Sequence, residues 1–163
     1  MRIEVVRGDV TQQPVDAVVT AANQALKGGG GVDAAVHRAA GPELVRASRA
    51  LAPCPTGQAV VTPAFDLAPV RWVVHAVGPR YRGRPQDADL LASAYTAALA
   101  CADGVGARSV AFPAISTGVY GYPDEEAARV SVAALRGAST DVERVLLVAF
   151  GDRQERLWHA ALG

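Results

Sequence analysis

Residues 17–37 pass from an apolar run, Ala17–Ala21, through four consecutive glycines at positions 28–31 into a helical pattern. Four adjacent glycines cannot pack a hydrophobic core, and they lose more conformational entropy on folding than other residues do. They are expected where backbone amides approach a ligand closely at a helix N-terminus, a place that favours anions. The segment therefore predicts a phosphate-binding turn between a strand and a helix.

The same segment holds Asn23, the only asparagine of the chain, and Lys27, its only lysine. Since 15 of the 16 basic residues are arginines, the composition is biased against both residue types. An asparagine present against this bias, seven residues before Gly30, indicates a specific role near the glycines.

Apolar runs alternate with helical patterns along the chain. The runs predicted as strands are 3–6, 17–21, 59–62, 72–77, 109–113 and 144–150, and the predicted helices are 32–40, 43–50, 87–103, 123–136 and 152–162. Several strand runs are continuously apolar, which is typical of strands buried on both faces. The order predicts an α/β sandwich with a largely parallel sheet.

Length and composition predict one domain over residues 1–163, since half of the 163 residues are hydrophobic and no long polar tract divides them. No targeting segment is recognisable at the start, and no run approaches the 18 apolar residues of a membrane helix. We expect a cytoplasmic, monomeric protein with no membrane association.

The two cysteines, Cys54 and Cys101, have no metal-type spacing and are expected to be free thiols.

The charges disfavour a nucleic-acid partner, because 16 basic and 16 acidic residues cancel. No stable nucleic-acid binding is expected. The one basic cluster that contains an aromatic residue is Arg80-Tyr-Arg-Gly-Arg84. It is interpreted first as a solvated surface loop, and alternatively as a contact for phosphate on a substrate or nucleic acid.

Three loops follow predicted strands at their carboxyl ends, where ligands bind in parallel sheets. They are the glycine loop (residues 22–30), the second loop (residues 114–122) and the Phe150-Gly-Asp152 turn. The second loop also brings glycines and hydroxyls to a helix N-terminus, which makes it another anion site. Two such loops facing each other would suit a diphosphate.

Common nucleotide motifs and a metal centre fit less well. A dinucleotide fingerprint beginning at Gly28 would need glycine at 33, where Asp33 stands, and a P-loop would need lysine after the glycines. Asp33 and His37 share a helix face at i and i+4, but no third metal ligand is evident. His37 is therefore interpreted as a packing or hydrogen-bonding residue, and no metal or cofactor is expected.

Several motifs together resemble the macrodomains of the MacroD type, over a stretch from about residue 2 to the C-terminal helix. In chain order they are Gly8-Asp-Val-Thr11, Ala21-Ala-Asn23, Gly30-Gly-Val-Asp33, His37-Arg-Ala-Ala-Gly-Pro42, Pro55-Thr-Gly57, His75-Ala-Val-Gly-Pro79 and Phe112-Pro-Ala-Ile-Ser-Thr-Gly-Val-Tyr-Gly-Tyr-Pro123. The resemblance implies a three-layer α/β/α sandwich with a mixed, largely parallel sheet of about six strands.

The resemblance also implies ADP-ribose as the ligand and mono-ADP-ribosylated proteins as partners. Adenine would contact Asp9, Val10 and Phe150; without the resemblance, Asp9 is a turn residue and Phe150 a strand-end core aromatic. Residues implied to contact the phosphates are Gly30, Gly31 and Val32 for one, and Ser116, Thr117, Gly118, Val119 and Tyr120 for the other. Tyr120 would also flank the distal ribose.

Asn23 and Asp33 are the implied catalytic residues at the distal ribose. A carboxylate in the first turn of a helix is stabilised by the helix dipole, so we expect a lowered pKa for Asp33. Such a group is a weak general base at neutral pH. Asp33 is therefore expected to orient a ribose hydroxyl or a water and to stabilise positive charge at the anomeric carbon, or else only to compensate the dipole.

The implied reaction is hydrolysis of the ester between ADP-ribose and an Asp or Glu side chain, or of an acetyl ester of ADP-ribose. Thr20 is among the implied substrate-binding residues, but it departs from the family pattern, which has asparagine at this position. A hydroxyl lacks the separate donor and acceptor of an amide, so positioning of the distal ribose is affected. This keeps open a second function, a reader module that binds ADP-ribose without turnover.

Overall fold

A computed structural model describes residues 1–163. The strands are β1 (Arg2–Arg7), β2 (Ala17–Ala21), β3 (Ala59–Pro63), β4 (Trp72–Ala76), β5 (Ser109–Phe112) and β6 (Arg144–Ala149). The helices are α1 (Gly31–Ala40), α2 (Glu43–Arg49), α3 (Pro85–Gly104), α4 (Asp124–Gly137) and α5 (Asp152–Leu162). Every predicted element is present within two residues of its predicted bounds, and a short 3-10 helix at Val10–Gln12 was not predicted.

The six strands form one sheet in the order β1-β6-β5-β2-β4-β3. Five strands run parallel, and β3 pairs antiparallel with β4 at one edge. The prediction of a mixed, largely parallel sheet is confirmed. In the register of β2 and β4, Thr20 lies beside His75.

Helices cover both faces of the sheet and make three layers. On one face α3, α4 and α5 pack their buried side chains, among them Tyr95 and Trp158, against strand residues such as Phe112. On the other face α1 and α2 pack Val36 and Leu44 against the sheet. Burial of each large side chain contributes about 1.5–3 kcal/mol. This two-sided burial explains why the strand runs are continuously apolar.

The carboxyl ends of the parallel strands meet at one edge of the sheet. Across this edge the strands follow in the order β1, β6, β5, β2 and β4, so their loops form a row. Neighbouring strands lie about 4.8 Å apart, so the first four span about 14 Å. The row is long enough for an extended nucleotide.

None of the helices combines the length and apolar character needed to cross a membrane. Both cysteines are free thiols; Cys54 is buried and Cys101 is partly buried.

Candidate functional site

The glycine loop presents backbone to open space at the start of α1. Gly28 and Gly31 have left-handed φ angles of 83° and 59°, which a residue without a Cβ adopts at little cost. No side chain caps the helix, so its first amides remain available to an anion. A Cβ placed on Gly30 or Gly31 would meet no atom within 4 Å. The loop and the helix start therefore form an unobstructed cradle, and the Val32 side chain that follows packs against the core.

Asp33 lies in the first turn of α1 and is only 2% exposed. Its Oδ1 accepts a hydrogen bond of 2.8 Å from the Thr20 hydroxyl, and the His37 Nε2 lies 3.4 Å from the same oxygen. The carboxyl is thus held by one group from β2 and one from its own helix. His37 thus contacts a side chain of its own helix, as a packing or hydrogen-bonding residue would. No group of three or more metal-ligating side chains occurs in the structure.

The expected pKa shift of Asp33 is wrong in direction. Burial raises the pKa of Asp33 above its ordinary value, while the Thr20 hydroxyl, His37 and the Gly29 backbone partly oppose this rise. The helix dipole was expected to dominate, but the loss of water around a nearly enclosed carboxyl is the larger effect. Asp33 is therefore a better proton acceptor than its position in the sequence indicates.

The Asn23 side chain is hydrogen-bonded to the backbone of the glycine loop and lies near Asp33, with Gly29 between them. Its Nδ2 donates to the Gly28 carbonyl at 3.0 Å, and its Oδ1 accepts from the Lys27 amide at 3.4 Å. A methyl group on Gly29 would lie 3.5 Å from Asn23 Nδ2 and 3.5 Å from Asp33 Oδ2. The structure thus brings together the two side chains predicted as catalytic.

Thr20 lies fully buried behind Asp33 and not at the surface of the cleft. Beside it in the sheet, the buried His75 shares a hydrogen bond of 2.9 Å with the Thr62 hydroxyl. Burial, together with the neighbouring His37, lowers the pKa of His75 to about 4. A polar layer, defined as Thr20, Asp33, His37 and His75, therefore lies beneath the glycine loop.

The second loop is anchored from below by a buried tyrosine. The Tyr95 hydroxyl of α3 donates to the Pro113 carbonyl at 3.2 Å and accepts from the Ile115 amide at 3.1 Å. Ser116 has a left-handed φ of 69°, and its hydroxyl, in a side chain only 6% exposed, has no hydrogen-bond partner. A Cβ on Gly78 would overlap Ser116 Oγ and Ile115. The shape of the second loop therefore depends on close packing of Ile115 and Ser116 against Gly78.

The outer part of the second loop points away from the core. The Thr117 hydroxyl donates to the Ala114 carbonyl at 2.9 Å, and the Gly118 carbonyl accepts from the Gly121 amide at 3.0 Å. Val119 is 96% exposed. The ring of Tyr120 carries the Arg80 guanidinium 4.6 Å from its centroid.

At the β1 and β6 end, Asp9 and Phe150 follow adjacent strands. Asp9 Oδ1 accepts from the amide and the hydroxyl of Thr11 at 2.8 and 2.7 Å, so the turn interpretation of Asp9 is confirmed. Val10 begins the short 3-10 helix and is buried. Phe150 is 88% exposed, so its interpretation as a core aromatic is wrong. An exposed ring here is free to stack.

A cleft of about 710 Å³ connects the glycine loop with the second loop. Asn23 and Tyr120 both line it, although they belong to different loops. The cleft continues along Gly78 and Pro79 to the arginines at 80, 82 and 84.

Two positions that shape the site were not singled out from the sequence. Gly78 belongs to the motif His75-Ala-Val-Gly-Pro79. A glycine is needed there because the backbone packs closely against the second loop. Tyr95 lies within a helix and has no local signal, because its partners are about 20 residues away in the chain.

The model of the Macro domain family matches residues 19–131. This is more than half of the 163 residues. The chain therefore belongs to the macrodomain family, and the resemblance to MacroD-type macrodomains is confirmed.

Similar curated proteins cover nearly the whole chain. A macro domain-containing protein of Ralstonia nicotianae is 48% identical over 161 residues, 98% of this chain and 94% of that protein. A protein of Salmonella gallinarum named O-acetyl-ADP-ribose deacetylase is 47% identical, over 96% of this chain and 92% of its own length.

Among solved structures, a mutant macrodomain of Oceanobacillus iheyensis with ADPR superposes with a TM-score of 0.93. It is 38% identical, and the match covers 98% of this chain and 91% of that one. The Trypanosoma brucei macrodomain in complex with ADP-ribose has a TM-score of 0.89 at 36% identity, over 99% of this chain and 69% of that one. The three-layer fold is thereby confirmed.

Proposed function

We propose that this protein binds ADP-ribose along the carboxyl edge of its sheet and hydrolyses the ester that links mono-ADP-ribose to Asp or Glu side chains. The observation that carries the proposal is the order of groups along that edge. Asp9 and the exposed Phe150 follow β1 and β6, the second loop follows β5, and the glycine loop follows β2. This order matches adenine, diphosphate and distal ribose in an extended ADP-ribose.

The diphosphate would lie between the two loops. Gly30, Gly31 and Val32 offer amides at an uncapped helix start, and residues 116–120 offer a second set. Backbone amides at a helix N-terminus bind anions without any cationic side chain.

The distal ribose would then meet Asn23 and Asp33. A water oxygen bonds to the anomeric carbon as the bond from that carbon to the ester oxygen breaks. The electron pair leaves on the side-chain carboxylate, and the water proton passes to a substrate phosphate oxygen or to Asp33. The raised pKa of Asp33 supports its role as acceptor. Binding the remote adenine and diphosphate aligns this single bond.

The acetyl ester of ADP-ribose is a second proposed substrate, hydrolysed at the same site by attack on a different carbon. Support comes from the Salmonella relative named O-acetyl-ADP-ribose deacetylase, which is 47% identical over 96% of this chain. In this reaction a water oxygen bonds to the acetyl carbonyl carbon, the bond from that carbon to the ribose oxygen breaks, and the ribose oxygen takes up a proton as acetate is released.

One observation favours the alternative of a reader module. Asp33 is nearly enclosed, and its Oδ1 is occupied by Thr20. If substrate does not free this carboxyl, the domain binds ADP-ribose without cleaving the ester.

The deciding experiment is incubation with a protein automodified on Glu and Asp, with free ADP-ribose followed over time. Release above the spontaneous rate supports the hydrolase. Tight ADP-ribose binding without release identifies the reader, and absence of binding contradicts both. Arg71→Gln is a matched control, since Arg71 is exposed near the opposite edge of the sheet and should leave release unchanged.

A further inference from the structure

The arginine loop, residues 80–84, continues the cleft beyond the proposed distal-ribose end. β4 neighbours β2 in the sheet, and its carboxyl end leads directly into this loop. Asn23 and Tyr120 line the same cleft as Arg80, Arg82 and Arg84. If the proposed function holds, the group attached to the distal ribose leaves the site on this side.

Backbone hydrogen bonds fix the shape of the arginine loop. The Asp87 carboxylate of α3 accepts from the Arg82 amide at 2.9 Å and from the Arg84 amide at 3.1 Å. The Tyr81 amide donates to the Tyr120 carbonyl at 2.8 Å, which ties this loop to the second loop. Since these bonds use backbone amides, the side chains at 82 and 84 are not needed for them.

The guanidinium groups of the loop have no acidic partners. Arg80 stacks on Tyr120, whereas Arg82 and Arg84 are exposed and take part in none of the ion pairs of the structure. Asp87, the one acid that lines the cleft, directs its carboxylate to backbone amides. Backbone hydrogen bonds, above all from Arg82, and the nearby Arg84 charge lower the pKa of Asp87. With three guanidinium groups and this one carboxylate, the far end of the cleft keeps a net positive charge.

We propose that Arg82 and Arg84 bind acidic side chains that flank the ADP-ribosylated Asp or Glu, so that modified sites in acidic peptide segments are preferred substrates. This rests on the proposed function. Guanidinium groups bind carboxylates in a bidentate manner. The backbone turns at Gly83, which has a left-handed φ of 71°, and the amides of residues 82 and 84 donate to the same Asp87 oxygen. Both arginines therefore leave from one turn, and their long side chains can reach neighbouring acidic residues of a bound peptide.

A nucleic-acid strand fits this end of the cleft less well. Single-stranded binding sites offer free aromatic faces on which bases stack. Here one face of Tyr120 is covered by Arg80, and Tyr81 packs edge-on against Tyr122 with ring centroids 5.0 Å apart. The net charge of zero also lacks the basic excess of strand-binding proteins. The observations therefore favour a peptide.

The test uses two peptides, each ADP-ribosylated on a single Glu, whose flanking residues are Glu and Asp in one and Gln and Asn in the other. ADP-ribose release is measured for the wild type, for Arg82→Gln/Arg84→Gln, and for the charge-matched control Arg71→Gln/Arg156→Gln. The wild type and the control should favour the acidic peptide in kcat/KM by about five- to tenfold, mostly through KM. In Arg82→Gln/Arg84→Gln the preference should vanish, while affinity for free ADP-ribose stays unchanged.

Equal kcat/KM for both peptides in the wild type would overturn the proposal, as would a preference that survives in Arg82→Gln/Arg84→Gln. A preference for ADP-ribose linked to a DNA end, lost in that variant, would replace the peptide by nucleic acid. If the protein binds without release, the same comparison is made on peptide affinities. Absence of both ADP-ribose binding and release marks failure of the proposed function itself.

Discussion

Residues of the glycine loop and of the second loop line one cleft, but the two loops lie on different interiors. Beneath the glycine loop lies the polar layer with Asp33 and His75. Burial raises the pKa of Asp33 and lowers that of His75. Beneath the second loop lie Tyr95 and Phe112, with ring centroids 5.3 Å apart. Burial moves the pKa of Tyr95 upward, further from neutral.

This difference separates two tasks. The interior under the glycine loop holds groups that can accept or share protons, so the chemistry is expected there. The interior under the second loop holds a neutral aromatic pair and a tightly packed glycine, so this loop is expected to position the ligand. Substitutions on the two sides should therefore fail in different ways.

The largest effect is expected from Asp33→Asn. Asparagine has the size of aspartate and can still accept from the Thr20 hydroxyl, but it cannot take a proton or stabilise positive charge. Turnover should fall by about 10²- to 10⁴-fold, while ADP-ribose affinity stays within about tenfold, or 1.4 kcal/mol. Steady-state release assays and calorimetry measure the two quantities, and unchanged turnover would remove Asp33 from the chemistry.

Gly30→Val should abolish binding without harming the fold. The added side chain meets no protein atom within 4 Å of its Cβ, so it projects into the space proposed for phosphate. Affinity for ADP-ribose should fall by at least about 100-fold, or 2.7 kcal/mol. Gly137→Val is the matched control, because a Cβ there is also unobstructed and lies at the far end of α4. Intact binding by Gly30→Val would refute the cradle.

Acid should destabilise the polar layer through His75. Because its pKa is lowered from 6.5 to about 4 in the folded state, the neutral form is favoured there. The stability it contributes is present above pH 6.5 and lost as the pH falls towards 4. The loss is about 3 kcal/mol. Denaturant unfolding from pH 7 to pH 4 should show this slope in the wild type and a flatter one in His75→Gln; equal slopes would contradict it.

The smallest effect is expected from a substitution beneath the second loop. Gly78→Ala places a Cβ against Ser116 and Ile115, and such overpacking costs about 1–3 kcal/mol. In contrast to the His75 effect, this loss should be the same at pH 7 and pH 5, since no titrating group is displaced. Adding Ser116→Gly should recover part of the stability. A pH-dependent loss, or no recovery, would break the distinction between the two loops.

The fold could be predicted closely because its signals are local. Continuous apolar runs mark strands covered on both faces, and the proline and acids from Pro123 onwards mark the start of α4 to within one residue. The antiparallel direction of β3 was not predicted, since pairing direction depends on how the chain returns to the edge of the sheet; the family resemblance implied only that the sheet is mixed.

The site could be predicted in part. The types of the site residues and their positions after the strands could be predicted from the sequence. The structure places Asn23 and Asp33 near each other, on either side of Gly29. The pKa direction of Asp33 could not be predicted, because it depends on how completely the folded chain buries the carboxyl, an effect that outweighs the opposing contacts with Thr20 and His37. The exposure of Phe150 could not be read from the strand that precedes it, nor the contact of Tyr95 from its helix.

The most direct test of the account is a crystal structure of the protein with ADP-ribose. We expect adenine beside Asp9 and Phe150, the diphosphate between the amides of residues 30–32 and those of 116–120, and the distal ribose within hydrogen-bond reach of Asn23 and Asp33. A nucleotide bound in the reverse direction, or a distal ribose remote from Asp33, would contradict it.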